Sequence, residues 1–252
     1  GFERVVSIIQ NKSSNYDTDI FQPYFTKISE ITGSLAYENL VGDADVQSIN
    51  TAYRVVADHI RTLTISIADG CRPDNIGRGY VIRRILRRAI RYSHEKLNMT
   101  PGMLATLVDV VVDQLGDTFS EIISHQHVIK SIINDEEEQF VKTLSKGRIQ
   151  LNKAISNSRN KVISGKIGWL LYESFGFPID LTQVMLGEKG FSVDMLEYES
   201  EKNKSQKKSR KEAAFKGIES LLDPNDIDHL KTLSVPFTNS LSKYDYIVHP
   251  DI

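Results

Sequence analysis

A single cysteine, Cys71, stands in this chain, which excludes an internal disulfide and a cysteine-built zinc site and points to a reducing compartment. No apolar run reaches the roughly 20 residues that a bilayer-spanning helix requires, and no secretory signal opens the sequence. No membrane partner is therefore expected, and a cytoplasmic location is the default. Net charge is scarce as well: 31 Lys and Arg against 33 Asp and Glu leave −2 over 252 residues. This balance excludes a uniformly basic or acidic protein, although it permits a strong local field. What the chain has is 40% hydrophobic residues, enough for one substantial core or two modest ones.

The local field lies in Arg72 to His94, RPDNIGRGYVIRRILRRAIRYSH. At helical pitch Arg83, Arg84, Arg87, Arg88 and Arg91 fall on one arc, and Val81, Ile82, Ile85, Leu86, Ala89 and Ile90 fill the opposite one. Such a helix docks by one face and offers guanidinium groups on the other. Guanidinium forks match phosphate oxygens bidentately and stay charged, so the arc suits a polyanion with regularly spaced phosphates. The competing reading is a solvated face with some carboxylate pairing, but no acid interrupts the run before Glu95. Gly77 and Gly79 fit a tight turn into this helix or a close backbone approach to RNA better than a dinucleotide fold, because no strand-turn-helix unit surrounds them.

The expected fold class is all-α. FERVVSIIQ reads as a short helix, and the apolar run after Asp19 makes a second one ending at Gly33. From there, Val46 to Ala68, Tyr80 to Leu97, Gly102 to Leu115, Val128 to Ile155 and Lys166 to Phe175 carry apolar spacing of three and four. Asn134 followed by Asp135, Glu136 and Glu137 reads as a helix start whose acids serve capping and solvation rather than catalysis. Tyr53, Arg54, Asp58, His59 and Arg61 share one helix, where an Asp–Arg or Asp–His pairing would orient the arginine helix. Trp169 is assigned to the core, and His125 and His127 to the surface without a metal. Lys202 to Lys211 reads as an exposed helix end or linker with weak phosphate contacts. A short helix at Ile227 to Leu233 and a strand at Tyr244 to Val248 complete the expectations.

Three stretches carry a family resemblance: GFERVVSIIQNKSSNYDTDIF at the start, TAYRVVADHIRTLTISIADGCRPDNIGRGYVIRRILRRAIRY from Thr51, and LLYESFGFPIDLT from Leu170 to Thr182. In this order they resemble the alanyl-tRNA synthetases, a class II ligase family, with the likeness fading from about Ser200 onward. The resemblance implies a remnant of the class II aminoacylation domain over 1–45, a helical domain over 46–223 that recognises the tRNA acceptor stem, and a linker over 224–252. It implies ATP, Mg2+, alanine and tRNA(Ala) as partners of a longer enzyme. GFER resembles the end of class II motif 3, which would make Arg4 a contact for ATP. Motifs 1 and 2 are not in this sequence, so the polypeptide alone is expected neither to activate alanine nor to hold ATP. Zinc belongs to an editing domain that His59, His94, His125, His127, His229 and His249 do not rebuild.

Alanyl-tRNA synthetases read a G·U wobble pair in the acceptor stem through two polar residues, which by motif position match Asn75 and Asp180. Arg78, Arg83, Arg84, Arg87, Arg88 and Arg91 would then meet the RNA backbone. A wobble pair leaves the guanine 2-amino group unpaired in the shallow minor groove of A-form RNA, where an Asp can accept from it and an Asn can donate or accept. Each residue also has a local explanation: Asp180 with Gln183 forms a capping box for a helix to about Gly187, and Asn75 could stabilise its turn through an Asx contact. A different class of function stays open too, a helical scaffold that turns its arginine face toward a protein or anionic lipid.

Overall fold

The computed structural model describes residues 1–158, 160–215 and 232–233, and ten α-helices carry nearly all of it. In chain order they are α1 Phe2–Ile9, α2 Gln22–Thr32, α3 Ile49–Ala68, α4 Gly77–Lys96, α5 Met103–Leu115, α6 Ser120–Ser124, α7 Gln126–Asn157, α8 Gly165–Phe175, α9 Ile179–Gly187 and α10 Met195–Phe215. The all-α expectation holds among the described residues, apart from a two-residue parallel pair, β1 Val162–Ile163 and β2 Ser192–Val193. Residues Gly1–Glu201 form one compact unit and Lys202–Ile252 a second, described over the remainder of α10 and residues 232–233. Lys202 to Lys211 belongs to α10, so it is helix rather than linker. The expected elements at Ile227 to Leu233 and Tyr244 to Val248 lie outside the described residues, save for 232 and 233.

α3 is the central pillar of the first unit. Its apolar positions recur every three or four residues, and Ala52, Tyr53, Val56, Ala57, Ile60, Leu63 and Ile67 are all buried. α4 and α5 pack against it, and α7 packs across both. α2 begins with Pro23 in its first turn and ends on Gly33, whose φ of +64° supplies the left-handed cap that only glycine adopts cheaply. It buries Tyr24, Phe25 and Ile28, and Tyr24 Oη donates to Gln114 Oε1 of α5 at 2.9 Å. α7 runs for 32 residues without interruption, and Gly147 within it makes room for the ring of Phe177, which a Cβ there would overlap.

The charged side chains of α3 do not orient α4, contrary to expectation. Arg54 reaches the carbonyl of Leu40 at 3.0 Å and lies 3.9 Å from Asp45, Arg61 pairs with Glu3 at 3.1 Å, and Asp58 meets its neighbour His59 at 3.4 Å. The first two ties fasten the N-terminal segment onto α3. The partners of α4 come from elsewhere in the chain.

Candidate nucleic-acid interface

The turn before α4 is built by its glycines. Gly77 takes a φ of +55°, and a Cβ on Gly79 would overlap the carbonyl of Arg72 and the side chain of Asp74. The amide of Asp74 donates to the carbonyl of Gly79 at 3.0 Å and closes the turn. The helix therefore starts at Gly77, three residues ahead of the expected Tyr80. Asn75, Ile76 and Arg78 are left exposed at its tip.

Behind the tip the arginine arc is not a free cationic surface, and this departs from the expected exposed stripe. Arg87 Nε donates to Glu136 Oε1 at 2.6 Å, and Arg87 Nη2 lies 2.5 Å from the same oxygen. Arg83 Nε lies 3.4 Å from Glu136 Oε2. Arg88 Nη2 donates to Asp180 Oδ2, with Arg84 Nε 4.0 Å from Oδ1. Arg91 is only 2% exposed and is held by Glu95 at 2.8 Å and Glu188 at 2.5 Å, so it cannot meet a phosphate in this conformation. Burial presses the Arg87 guanidinium below its ordinary pKa while Glu136 works against that fall. Two arginines share Glu136 and two share Asp180, so around these carboxylates positive groups stay in excess. Arg78 forms no ion pair among the described residues.

The acids of α7 account for much of this, and the sequence reading of them fails. Asn134 to Glu137 lie within α7, not at a helix start. Glu136 and Glu137 are 5% and 1% exposed. Glu137 accepts from the amide of Gly102 at 2.8 Å and meets His94 Nε2 at 2.8 Å, tying α4 and the start of α5 to α7. A signal was available: Ile129, Ile133, Glu136, Phe140, Leu144, Gly147 and Leu151 recur at three and four, which puts a carboxylate on the buried stripe where it needs a cation.

Asp180 sits in the first turn of α9, but Pro178 occupies the cap position and Asp180 makes no capping hydrogen bond. The capping-box reading is thus replaced by the pair with Arg88. Asn75 is held through its side-chain oxygen, which accepts from Arg83 Nη1, while Arg83 Nη2 reaches the carbonyl of Pro73 at 3.3 Å. The backbone amide of Asn75 donates to Asp74 Oδ1 at 2.6 Å, so the side chain of Asp74 braces this turn locally. Nδ2 of Asn75 makes no hydrogen bond to the described residues. Between the two turns lies a cleft of about 290 Å³ lined by Asn75, Tyr80, Arg83, Trp169, Tyr172 and Pro178 among others. Trp169 is half-buried there, stacked in a tilted arrangement on Tyr172 at 5.1 Å and near Tyr198 at 5.8 Å, instead of in the core. Burial raises the pKa of Tyr80 and Tyr198, so both rings stay neutral.

Arg4 is exposed on α1, apart from this cluster, and its carbonyl accepts from Ser7 Oγ at 2.9 Å. Its guanidinium forms no ion pair among the described residues. His125 and His127 are exposed at the junction of α6 and α7, and no cluster of three or more potential metal ligands occurs among the described residues.

Residues 1–249 of this helical chain match the family model described as tRNA synthetases class II (A), and the chain belongs to that family. Within it, the similar proteins are alanine–tRNA ligases. The cytoplasmic alanine–tRNA ligase of Drosophila melanogaster is 53% identical over 247 residues, covering 98% of this chain and 26% of that protein. Those of Bombyx mori and Caenorhabditis elegans are 50% and 47% identical, again over 98% of this chain and 26% of theirs. The chain thus spans about a quarter of the length of these curated relatives. Among the described residues no helix is long and apolar enough to cross a membrane.

Proposed function

We propose that this chain serves an alanine–tRNA ligase of the cytoplasm by gripping the acceptor stem of tRNA(Ala) and reading its G·U wobble pair through Asn75 and Asp180. The reading assigns 46–223 to stem recognition, 1–45 to the end of the aminoacylation domain and 224–252 to a linker. Alanine, ATP and Mg2+ are substrates and cofactor of the enzyme as a whole. The observation that carries it is the tie of both residues to the same two turns of α4: Asn75 to Arg83, and Asp180 to Arg88 with Arg84 beside it.

The chemistry follows from those ties. A guanidinium has donors only, so the oxygen of Asn75 is committed and its NH2 group faces outward as a donor. The carboxylate of Asp180, with Arg88 and Arg84 against it, can accept from a guanine 2-amino group. The two together complement a minor-groove edge that shows one free donor beside acceptors. Arg78 supplies a phosphate contact, and Arg83, Arg84, Arg87 and Arg88 contribute a positive field, their excess over the carboxylates drawing the RNA backbone. Arg91 takes no part in that contact.

Binding of two acceptor-stem duplexes, identical except for G·U or G·C at the wobble position, tests this across a salt series. The proposal expects salt-sensitive binding of both with tighter binding of the G·U stem. Equal affinity for the two stems would leave α4 as a general anion face and remove the base-reading role.

A further inference from the structure

Glu136 joins the two turns on which the proposed reading depends. It projects from α7 at a core position and faces two arginines at once, hydrogen-bonded to Arg87 through Oε1 and ion-paired with Arg83 through Oε2, 3.4 Å from an Arg83 Nε that has no hydrogen-bond partner. Each arginine carries its other end to a different turn. Arg83 donates to the side-chain oxygen of Asn75 and to the carbonyl of Pro73. Arg87 Nη1 donates to the carbonyl of Gly176, four residues before Asp180. One buried carboxylate therefore contacts the two arginines that reach the two turns.

We infer that Glu136 is a positioning residue for wobble discrimination, fixing the amide orientation of Asn75 through Arg83 and the seat of the Asp180 turn through Arg87. This rests on the base-reading roles given above to Asn75 and Asp180. An asparagine amide exchanges its donor and acceptor ends by a half-turn of its last torsion, so an exposed Asn discriminates only if one end is tied. Here the tie is a guanidinium, and the guanidinium keeps its place because Glu136 neutralises it inside the protein. Loss of that charge leaves Arg83 and Arg87 without their buried counterion, and both then move toward water or toward Asp180. Hydrogen bonds weaken steeply with distance and angle, so a shift of either turn degrades base reading before it affects the grip on phosphates.

The test uses the 252-residue chain and the two matched stems, with Asn75→Ala, Glu136→Gln, Arg83→Lys and the double variant Asn75→Ala with Glu136→Gln. Asn75→Ala is expected to lower the G·U preference by about tenfold, the usual order for a lost base contact. Glu136→Gln is expected to lower it by at least about fivefold while affinity for the G·C stem stays within about twofold, and the double variant is to lose more than Asn75→Ala but less than the two single losses combined, because the part that runs through Asn75 is already gone while the part that runs through the Asp180 turn remains. A packing role alone would weaken both stems alike and would add to Asn75→Ala. If Glu136→Gln does not fold, Arg83→Lys carries the test, since a single ammonium cannot span Glu136, Pro73 and Asn75. A folded Glu136→Gln or Arg83→Lys protein with full preference overturns the inference. The side-chain amide resonances of Asn75 separate this failure from that of base reading: should Asn75→Ala keep the G·U preference, base reading fails, and resonances unmoved by Glu136→Gln would show that Glu136 does not set that amide either.

Discussion

Replacing Gly176 with alanine strikes the arginine network where it meets the backbone. Gly176 ends α8 with a φ of +68°, its carbonyl accepts from Arg87 Nη1, and a Cβ there would overlap that nitrogen. The left-handed conformation costs an L-residue about 1–2 kcal/mol. Arg87 could make room only by giving up Glu136 at 2.6 Å and its place 5.0 Å from the ring centre of Phe140. A hydrogen bond to a charged group contributes about 1.5–3 kcal/mol, so the whole loss comes to about 3–5 kcal/mol. Gly33 is the matched control, a helix cap with a φ of +64° and no atom within 4 Å of where an alanine Cβ would stand, so Gly33→Ala should lose the conformational part alone. Urea unfolding of the two variants at unchanged slope measures the difference, and an Arg87→Ala background should erase it. Equal losses for Gly176→Ala and Gly33→Ala would refute the view that Arg87 is held in place.

Asp45 accepts from the amides of Asn50 and Thr51 and from the Thr51 hydroxyl ahead of α3; burial raises its pKa, but these donors outweigh burial and hold it below the ordinary carboxylate range. A lowered folded-state value stabilises above the unfolded pKa of about 3.9 and is lost as pH falls through the folded one, so Asp45→Asn should be the less stable protein at about pH 7, with the gap in melting temperature closing from about pH 5 downward. Arg78→Ala should lower the slope of log affinity for RNA against log salt by roughly 0.7–0.9 without affecting folding. Arg91→Ala should do the reverse, removing about 3–5 kcal/mol of stability by unpairing Glu188 and Glu95 while leaving the salt slope alone, as salt titration and thermal melting of the same samples will show.

The helices were legible where apolar residues recur at three and four, as in α3, α5 and α8, whose observed ends lie within three residues of those expected. The arginine arc was legible as an arc, but its use was not. Glu95 lies four residues after Arg91, and a helical projection could have paired them; Glu136, Asp180 and Glu188 come from 49 to 97 positions away, and only the packing of α7 and α9 on α4 brings them in. Asp180 shows how a local rule can be outbid by a distant partner, since Asp-x-x-Gln satisfies the capping pattern while Pro178, two residues earlier, takes the cap and Arg88 takes the carboxylate. Glu136 and Glu137 were misread for a related reason. Four consecutive acids look solvated as a run, and only helical phase reveals that two of them turn inward.

Base reading by Asp180 is tested most directly by Asp180→Asn, which removes the charge while keeping the shape. Its partners Arg84 and Arg88 are 41% and 32% exposed, so losing the pair should cost only about 0–1 kcal/mol of stability and leave the protein folded. Measured against the two matched stems, the folded variant should lose about 1–3 kcal/mol of preference for G·U over G·C and bind the G·C stem as before. A folded Asp180→Asn protein that keeps its full preference for the wobble stem would contradict the base-reading role.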